Sequence, residues 1–182
     1  FELGRQRAFQ GVMMEDWVHG WDLGLAHDCF GAEVMRACAR KHGLPMASYL
    51  VGGEAIDREL FAFLMHGVKD NGLYLYGPVS TIGPAWGEDP KALEATARVS
   101  RLLKKFEDLL ADATVRPRKA ALLVATTSDI MQLKGLYFTQ ERQHLYLALK
   151  HRYIPVDIVC EQEIVEDNAL KNYSLLYAID PQ

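Results

Sequence analysis

The chain has 182 residues, with 20 Lys plus Arg against 24 Asp plus Glu, a formal net charge of −4, and 49% of its residues are hydrophobic. At about 150 residues per domain this is roughly one domain's worth of chain, and its apolar content excludes a disordered polymer. The acidic balance excludes a general nucleic-acid binder, which needs clustered basic charge. No apolar run approaches the roughly 20 residues that span a bilayer.

In chain order, Val12 to Met14 reads as a short buried strand followed by the carboxylates Glu15 and Asp16 and by Trp17. Residues 26–41 carry Phe30, Val34 and Cys38 four apart, which predicts an amphipathic helix with Arg36, Arg40 and Lys41 outside and Gly43 as its stop. Pro45 to Val51 is a second strand, broken by Gly52-Gly53. Residues 57–68 predict a helix with Leu60, Phe61, Leu64 and Met65 on one face. Gly72 to Tyr76 is a third strand, in which Tyr74 and Tyr76 share a side. A Gly/Pro-rich loop then runs to Pro90, and residues 90–111 predict one long helix with Leu93, Ala97, Leu102, Phe106 and Leu109 apolar.

Thr114 to Pro117 reads as a linker, dividing the chain into 1–113 and 118–182. After it come a buried strand at Lys119–Ala125 and a helix at 139–152 with Leu145, Tyr146 and Leu149 apolar. A strand at Ile154–Val159 and another at Tyr173–Ile179 follow. Strand alternates with helix throughout, which predicts an α/β protein with parallel strands and crossover helices. Such sheets carry their ligands at the carboxyl ends of the strands.

Three cysteines, Cys29, Cys38 and Cys160, lie far apart with no C-x-x-C pair. They predict neither a structural zinc site nor a dithiol motif, and Cys29 and Cys38 read as small buried apolar residues. His19 and His27 are isolated and predict no metal site. Gly52-Gly53 belongs to no G-x-G-x-x-G or P-loop pattern, so no nucleotide cofactor is expected. The chain opens on Phe1 and stops just past an apolar strand, which suggests a piece of a longer protein.

Residues 118–180 resemble the trimerisation domain of family-42 glycoside hydrolases, the β-galactosidase type. The resemblance is carried by Lys119-Ala-Ala-Leu-Leu-Val, Leu149-Lys-His-Arg-Tyr153, Ile154-Pro-Val-Asp-Ile-Val159 and Asn172-Tyr-Ser-Leu-Leu-Tyr177. The preceding region resembles the end of the barrel in the same family, on Met65-His66-Gly67-Val68-Lys69 followed by Leu73-Tyr-Leu-Tyr76. The resemblance implies the C-terminal part of a (β/α)8 barrel followed by the start of a flavodoxin-like, amidotransferase-like domain without amidotransferase chemistry. It makes the first three strands about the sixth, seventh and eighth of the barrel. It further implies retaining hydrolysis of β-linked sugars and a homo-oligomer, a trimer in that family. The family's acid/base follows barrel strand four, which lies outside the chain in this alignment. Its nucleophile follows strand seven, where Glu54 is the nearest carboxylate, displaced into a Gly-rich setting.

Hydrolysis by two carboxylates needs an acid and a nucleophile or base about 5–9 Å apart, and Glu54 is the catalytic candidate. A charge at the start of the following helix explains Glu54 equally well. Glu15, Asp16, Trp17 and Trp21 form a candidate sugar-binding group, in which carboxylates bond hydroxyls and indoles stack on a sugar face; a capped loop with half-buried tryptophans is the other reading. Trp86 is a candidate subsite wall or an interface plug. His66 is a candidate substrate contact or a helix-terminal residue satisfying carbonyls. Two functions follow: part of a β-galactosidase-like glycosidase, inactive by itself, or a non-catalytic carbohydrate-binding or assembly protein derived from such a barrel.

Overall fold

The structure, a computed structural model, describes residues 11–15, 24–51, 56–74, 90–131 and 137–179. It is an α/β protein with two small parallel sheets. The chain groups into two compact units, one of residues 11–32 and 45–115, the other including residues 33–44 and 116 onward. The second half of the first helix therefore belongs with the residues that follow the linker.

The first unit runs β1 (Val12–Glu15), α1 (Gly24–His42, of which residues 24–32 belong here), β2 (Met46–Val51), α2 (Ile56–Met65), β3 (Asp70–Tyr74), α3 (Pro90–Lys105) and α4 (Glu107–Asp112). The strands pair in parallel in the order β1-β2-β3, with Val12 opposite Met46 and Ala47 opposite Asp70. Strands laid down in sequence, joined by right-handed crossovers, receive their helices on one face. The burial pattern on β2 agrees with this. Met46, Ser48 and Leu50 are buried, whereas Tyr49, and Met13 on the matching face of β1, are exposed.

Three expectations change here. The third strand begins at Asp70, two residues before the expected Gly72, and Tyr76 lies outside the described residues. Polar Asp70 and Asn71 hide the strand from an apolar reading. Asn71 sits across from Ser48 and accepts the Ser48 hydroxyl at 2.7 Å, which satisfies a polar group that is 1% exposed. In α2 the inward face is Ile56, Leu60 and Phe63, and Met65 is outside. The expected helix at 90–111 is two, interrupted at Phe106 (φ −118°, ψ 12°). It buries Ala92, Ala95 and Val99, small residues that let α3 approach α2, rather than the larger Leu93, Leu102, Phe106 and Leu109.

The second unit runs β4 (Ala120–Val124), α5 (Thr126–Met131), α6 (Tyr137–His151), β5 (Val156–Cys160), α7 (Glu161–Asp167), a 3-10 turn (Ala169–Asn172) and β6 (Leu175–Tyr177). The order is β5-β4-β6, all parallel. Because the chain reverses direction across the sheet after β5, right-handed crossovers bring cover to both faces. All of β5, and all of β4 except half-buried Leu123, is buried. Helices α5 and α7 are additions to the expected elements: the first opens with Thr-Thr-Ser-Asp, turn-like chemistry that conceals a helix start.

Two glycines end helices. At the end of α2, Gly67 has φ +90°, the Gly67 N–H donates to the Leu64 carbonyl and the Val68 N–H to that of Phe63, with Val68 and Phe63 both buried. These are the two bonds and the apolar contact of a Schellman motif. At the end of α1, Gly43 has φ +63° and the Leu44 N–H reaches back to Ala39. A Cβ on Gly67 would also stand 3.3 Å from Val115. Gly67→Ala is therefore expected to destabilise the chain by about 1–2 kcal/mol, lowering Tm by roughly 3–6 °C, and thermal melts by circular dichroism check this.

Candidate functional site

In a parallel sheet the strands all end at one edge. In the first unit that edge carries Glu15, paired in register with Tyr49, together with Val51 and Tyr74. Asp16, Trp17, Trp21, Glu54 and Trp86 lie outside the described residues.

The structure places His66 elsewhere. It follows α2 and precedes β3, on the side where the strands begin, so it is not brought together with Glu15. It is 5% exposed and lines, with Asp28, Cys29, Ala62 and Phe63, a crevice that has no room for a water molecule. Its backbone N–H donates to the Phe63 carbonyl, within the turn that closes α2.

Among the described residues a dense group of charged side chains lies in the second unit, one that the sequence did not single out. On α1, Glu33, Arg36 and Arg40 are spaced three and four apart and share a face. Arg36 and Lys41, expected outside, have side chains only 11% and 7% exposed. Arg36 donates to Glu33 through Nε at 3.0 Å and Nη2 at 2.6 Å, and also to Asp157 on β5. Arg118, just before β4, pairs with Glu33 at 2.7 Å and lies 3.7 Å from Asp157. Arg40 lies 3.6 Å from Asp157, bonds Glu163 on α7 at 3.1 Å, and donates to the Ile158 carbonyl at 2.9 Å. The Tyr173 hydroxyl donates to Asp157 at 3.3 Å, and Glu163 accepts the Cys160 N–H at 3.0 Å. Three guanidiniums thus face three carboxylates drawn from α1, the approach to β4, β5 and α7.

Burial opposes the charge on Arg36, but Glu33 and Asp157 outweigh it and raise its pKa. Burial pushes the Tyr173 hydroxyl up to about 12, with Asp157 adding to the shift. Burial likewise raises the Cys38 thiol to about 12, helped by Cys160 and Glu163, and raises Cys160 as well. Such thiols stay protonated at neutral pH and are poor nucleophiles. Cys160 ends β5 directly before α7 and accordingly offers no activated sulfur.

At the carboxyl edge of the second sheet, Glu161 accepts the Thr127 N–H and hydroxyl, each at 3.0 Å. Nearby in sequence, Arg142 on α6, itself 1% exposed, makes a two-pronged contact with Asp129 at 2.7 and 3.0 Å. Among the described residues no group of three His, Cys, Asp or Glu could hold a metal ion, and no helix is long and apolar enough to cross a membrane.

The signal for the charged network was present in the sequence: an aspartate inside the apolar run Val156-Asp-Ile-Val159 must find cations when buried. Compared with family models, curated proteins and solved structures, the chain matches none of them.

Removing Asp157 leaves Arg36, Arg40 and Arg118 facing only Glu33 and Glu163. Asp157→Ala is expected to cost about 3–5 kcal/mol and Tyr173→Phe about 1 kcal/mol, as measured by urea unfolding. In the native chain at pH 7, Cys38 and Cys160 are expected to resist a thiol-titrating disulfide reagent and to react only once the chain is unfolded.

Proposed function

We propose that the chain is part of a glycoside hydrolase resembling family 42, acting on β-linked sugars by a retaining, two-carboxylate route. In this reading the first unit supplies the closing strands of a (β/α)8 barrel and the second opens a flavodoxin-like domain of the trimerisation type.

The observation that carries the reading is the contrast between the two sheets. Order β1-β2-β3 with one face buried is the arrangement of neighbouring strands in a barrel wall, whose uncovered face turns toward the barrel interior. Order β5-β4-β6 with the strands buried on both faces is the 2-1-3 opening of a flavodoxin-like sheet. Met13 and Tyr49 then point to a space that opposing barrel strands would fill.

In a barrel the chemistry sits where the strands end. Glu15 closes β1 there, and Asp16, Trp17 and Trp21 follow it in sequence as sugar contacts. Glu54 follows β2 by three residues, as the nucleophile, and Trp86 lies between β3 and α3 as a subsite wall. The acid/base comes from a fourth strand that this chain does not supply. The buried His66 serves the turn after α2 in this scheme rather than the sugar.

The 182-residue chain by itself is therefore expected to give no turnover of nitrophenyl β-galactoside. The polypeptide encoded by its complete reading frame is expected to hydrolyse it, with kcat falling by roughly 10³-fold or more in Glu54→Gln. A wild-type rate in Glu54→Gln removes that residue from the chemistry. Sugar retention without hydrolysis points to the non-catalytic carbohydrate-binding protein, and neither retention nor hydrolysis across β-linked sugars overturns the assignment.

A further inference from the structure

We propose that the outer side of α3 and α4 docks a second copy of this chain, the two copies pairing antiparallel about a two-fold axis near Phe106. The inference is independent of the glycosidase reading.

Val99, Leu102, Phe106 and Leu109 follow one another at spacings of three, four and three, an apolar ridge that starts on α3 and crosses the break at Phe106 into α4. Val99 is buried, but the ridge then runs into water, with Leu102, Phe106 and Leu109 exposed by 39%, 48% and 71%. Single exposed apolar side chains are ordinary, whereas consecutive ones on a ridge make a patch that marks an interaction surface. On the adjoining side of the same helices lies a groove of about 630 Å³, lined by Leu64, Leu103 and Leu110 among others, with room for an incoming apolar side chain.

The order of the charges along α3 and α4 says what partner fits. Between residues 98 and 112, four cations (Arg98, Arg101, Lys104, Lys105) precede Phe106 and three anions (Glu107, Asp108, Asp112) follow it. All of these side chains are exposed. Helix dipoles account for cations at the end of α3 and anions at the start of α4. The exposed Lys104–Glu107 pair at 3.2 Å adds little to stability. Neither explains three large apolar side chains left in water among these charges. A second copy laid antiparallel sets its acidic block on this copy's basic block, and two-fold symmetry repeats the match. A parallel copy sets like on like. The surface is thus complementary to itself under a two-fold axis and not under a three-fold one.

Sedimentation velocity on the chain from about 5 to 200 µM tests this, a range that brackets micromolar association. A dimer is expected, weakened at least about 30-fold by repulsion in R101E/K104E/K105E and, separately, in E107K/D108K/D112K. An equimolar mixture of the two variants, one acidic in this segment apart from Arg98 and one wholly basic, is expected to restore a one-to-one dimer. That rescue is a gain which misfolding cannot mimic. Phe106→Ser, with an unchanged circular dichroism spectrum, is expected to abolish pairing without altering charge. A monomer throughout the range, a trimer, or a mixture that fails to pair overturns the proposal.

Discussion

The second unit depends on how one carboxylate is accommodated. Asp157 is the second residue of a strand whose five residues are all buried, a position where an ionised side chain without partners would cost several kcal/mol. It is held by Arg36, with Arg40 and Arg118 close by and the Tyr173 hydroxyl completing the shell. Each of these comes from a different part of the chain or a different turn of α1. Satisfying Asp157 therefore fixes the second half of α1, the approach to β4 and the entry to β6 against β5 at once. Glu33 and Glu163 then balance the guanidiniums that Asp157 alone would leave in excess. A network of this kind contributes little net stability compared with an apolar core, but losing any one member strands the others. That makes it a determinant of which segments pack together, and it accounts for residues 33–44 grouping with residues beyond 116.

The same balance separates architecture from chemistry. A general acid or base works when its environment pushes its pKa toward the working pH. Asp157, Glu33 and Glu163 are each held by guanidiniums or a backbone donor, and burial raises the pKa of the neighbouring thiols Cys38 and Cys160. The partners of these groups are one another, which makes the network part of the architecture. In the reading proposed above, the chemistry lies instead where the strands end, at Glu15 and the residues that follow β1, β2 and β3 in sequence.

Alternation of apolar runs with helical periods was enough to read six parallel strands and the longer helices between them, though not α5 or α7, because each pattern records burial directly. It failed where burial was achieved by other means. Asn71 fits a strand because Ser48 opposite it is polar too, a pairing no single-strand pattern reveals, and Asp70 precedes it opposite Ala47. Leu102, Phe106 and Leu109 look like core in sequence, yet α3 packs through Ala92, Ala95 and Val99, since close helix approach selects small residues over large ones. Arg36 and Lys41 look like surface, yet they are drawn in by acids more than a hundred residues away. His66 stands directly after α2, where its backbone N–H donates to the Phe63 carbonyl.

Both sheets are parallel, so strand direction does not distinguish the units; the direction in which each new strand is added does. Adding every strand on the same side keeps right-handed crossovers on one face. A sheet built this way has an uncovered face until it curls and fills that face with its own side chains, which is what a barrel does. Reversing once, as after β5, covers both faces with as few as three strands, and the small second sheet has a dry interior accordingly. Tyr49 shows the difference. Its ring stands across from Gly72, where an added Cβ would come within 2.8 Å of it, and it stays 39% exposed. An aromatic lying over a glycine on a parallel face is a side chain fitted to the adjacent strand.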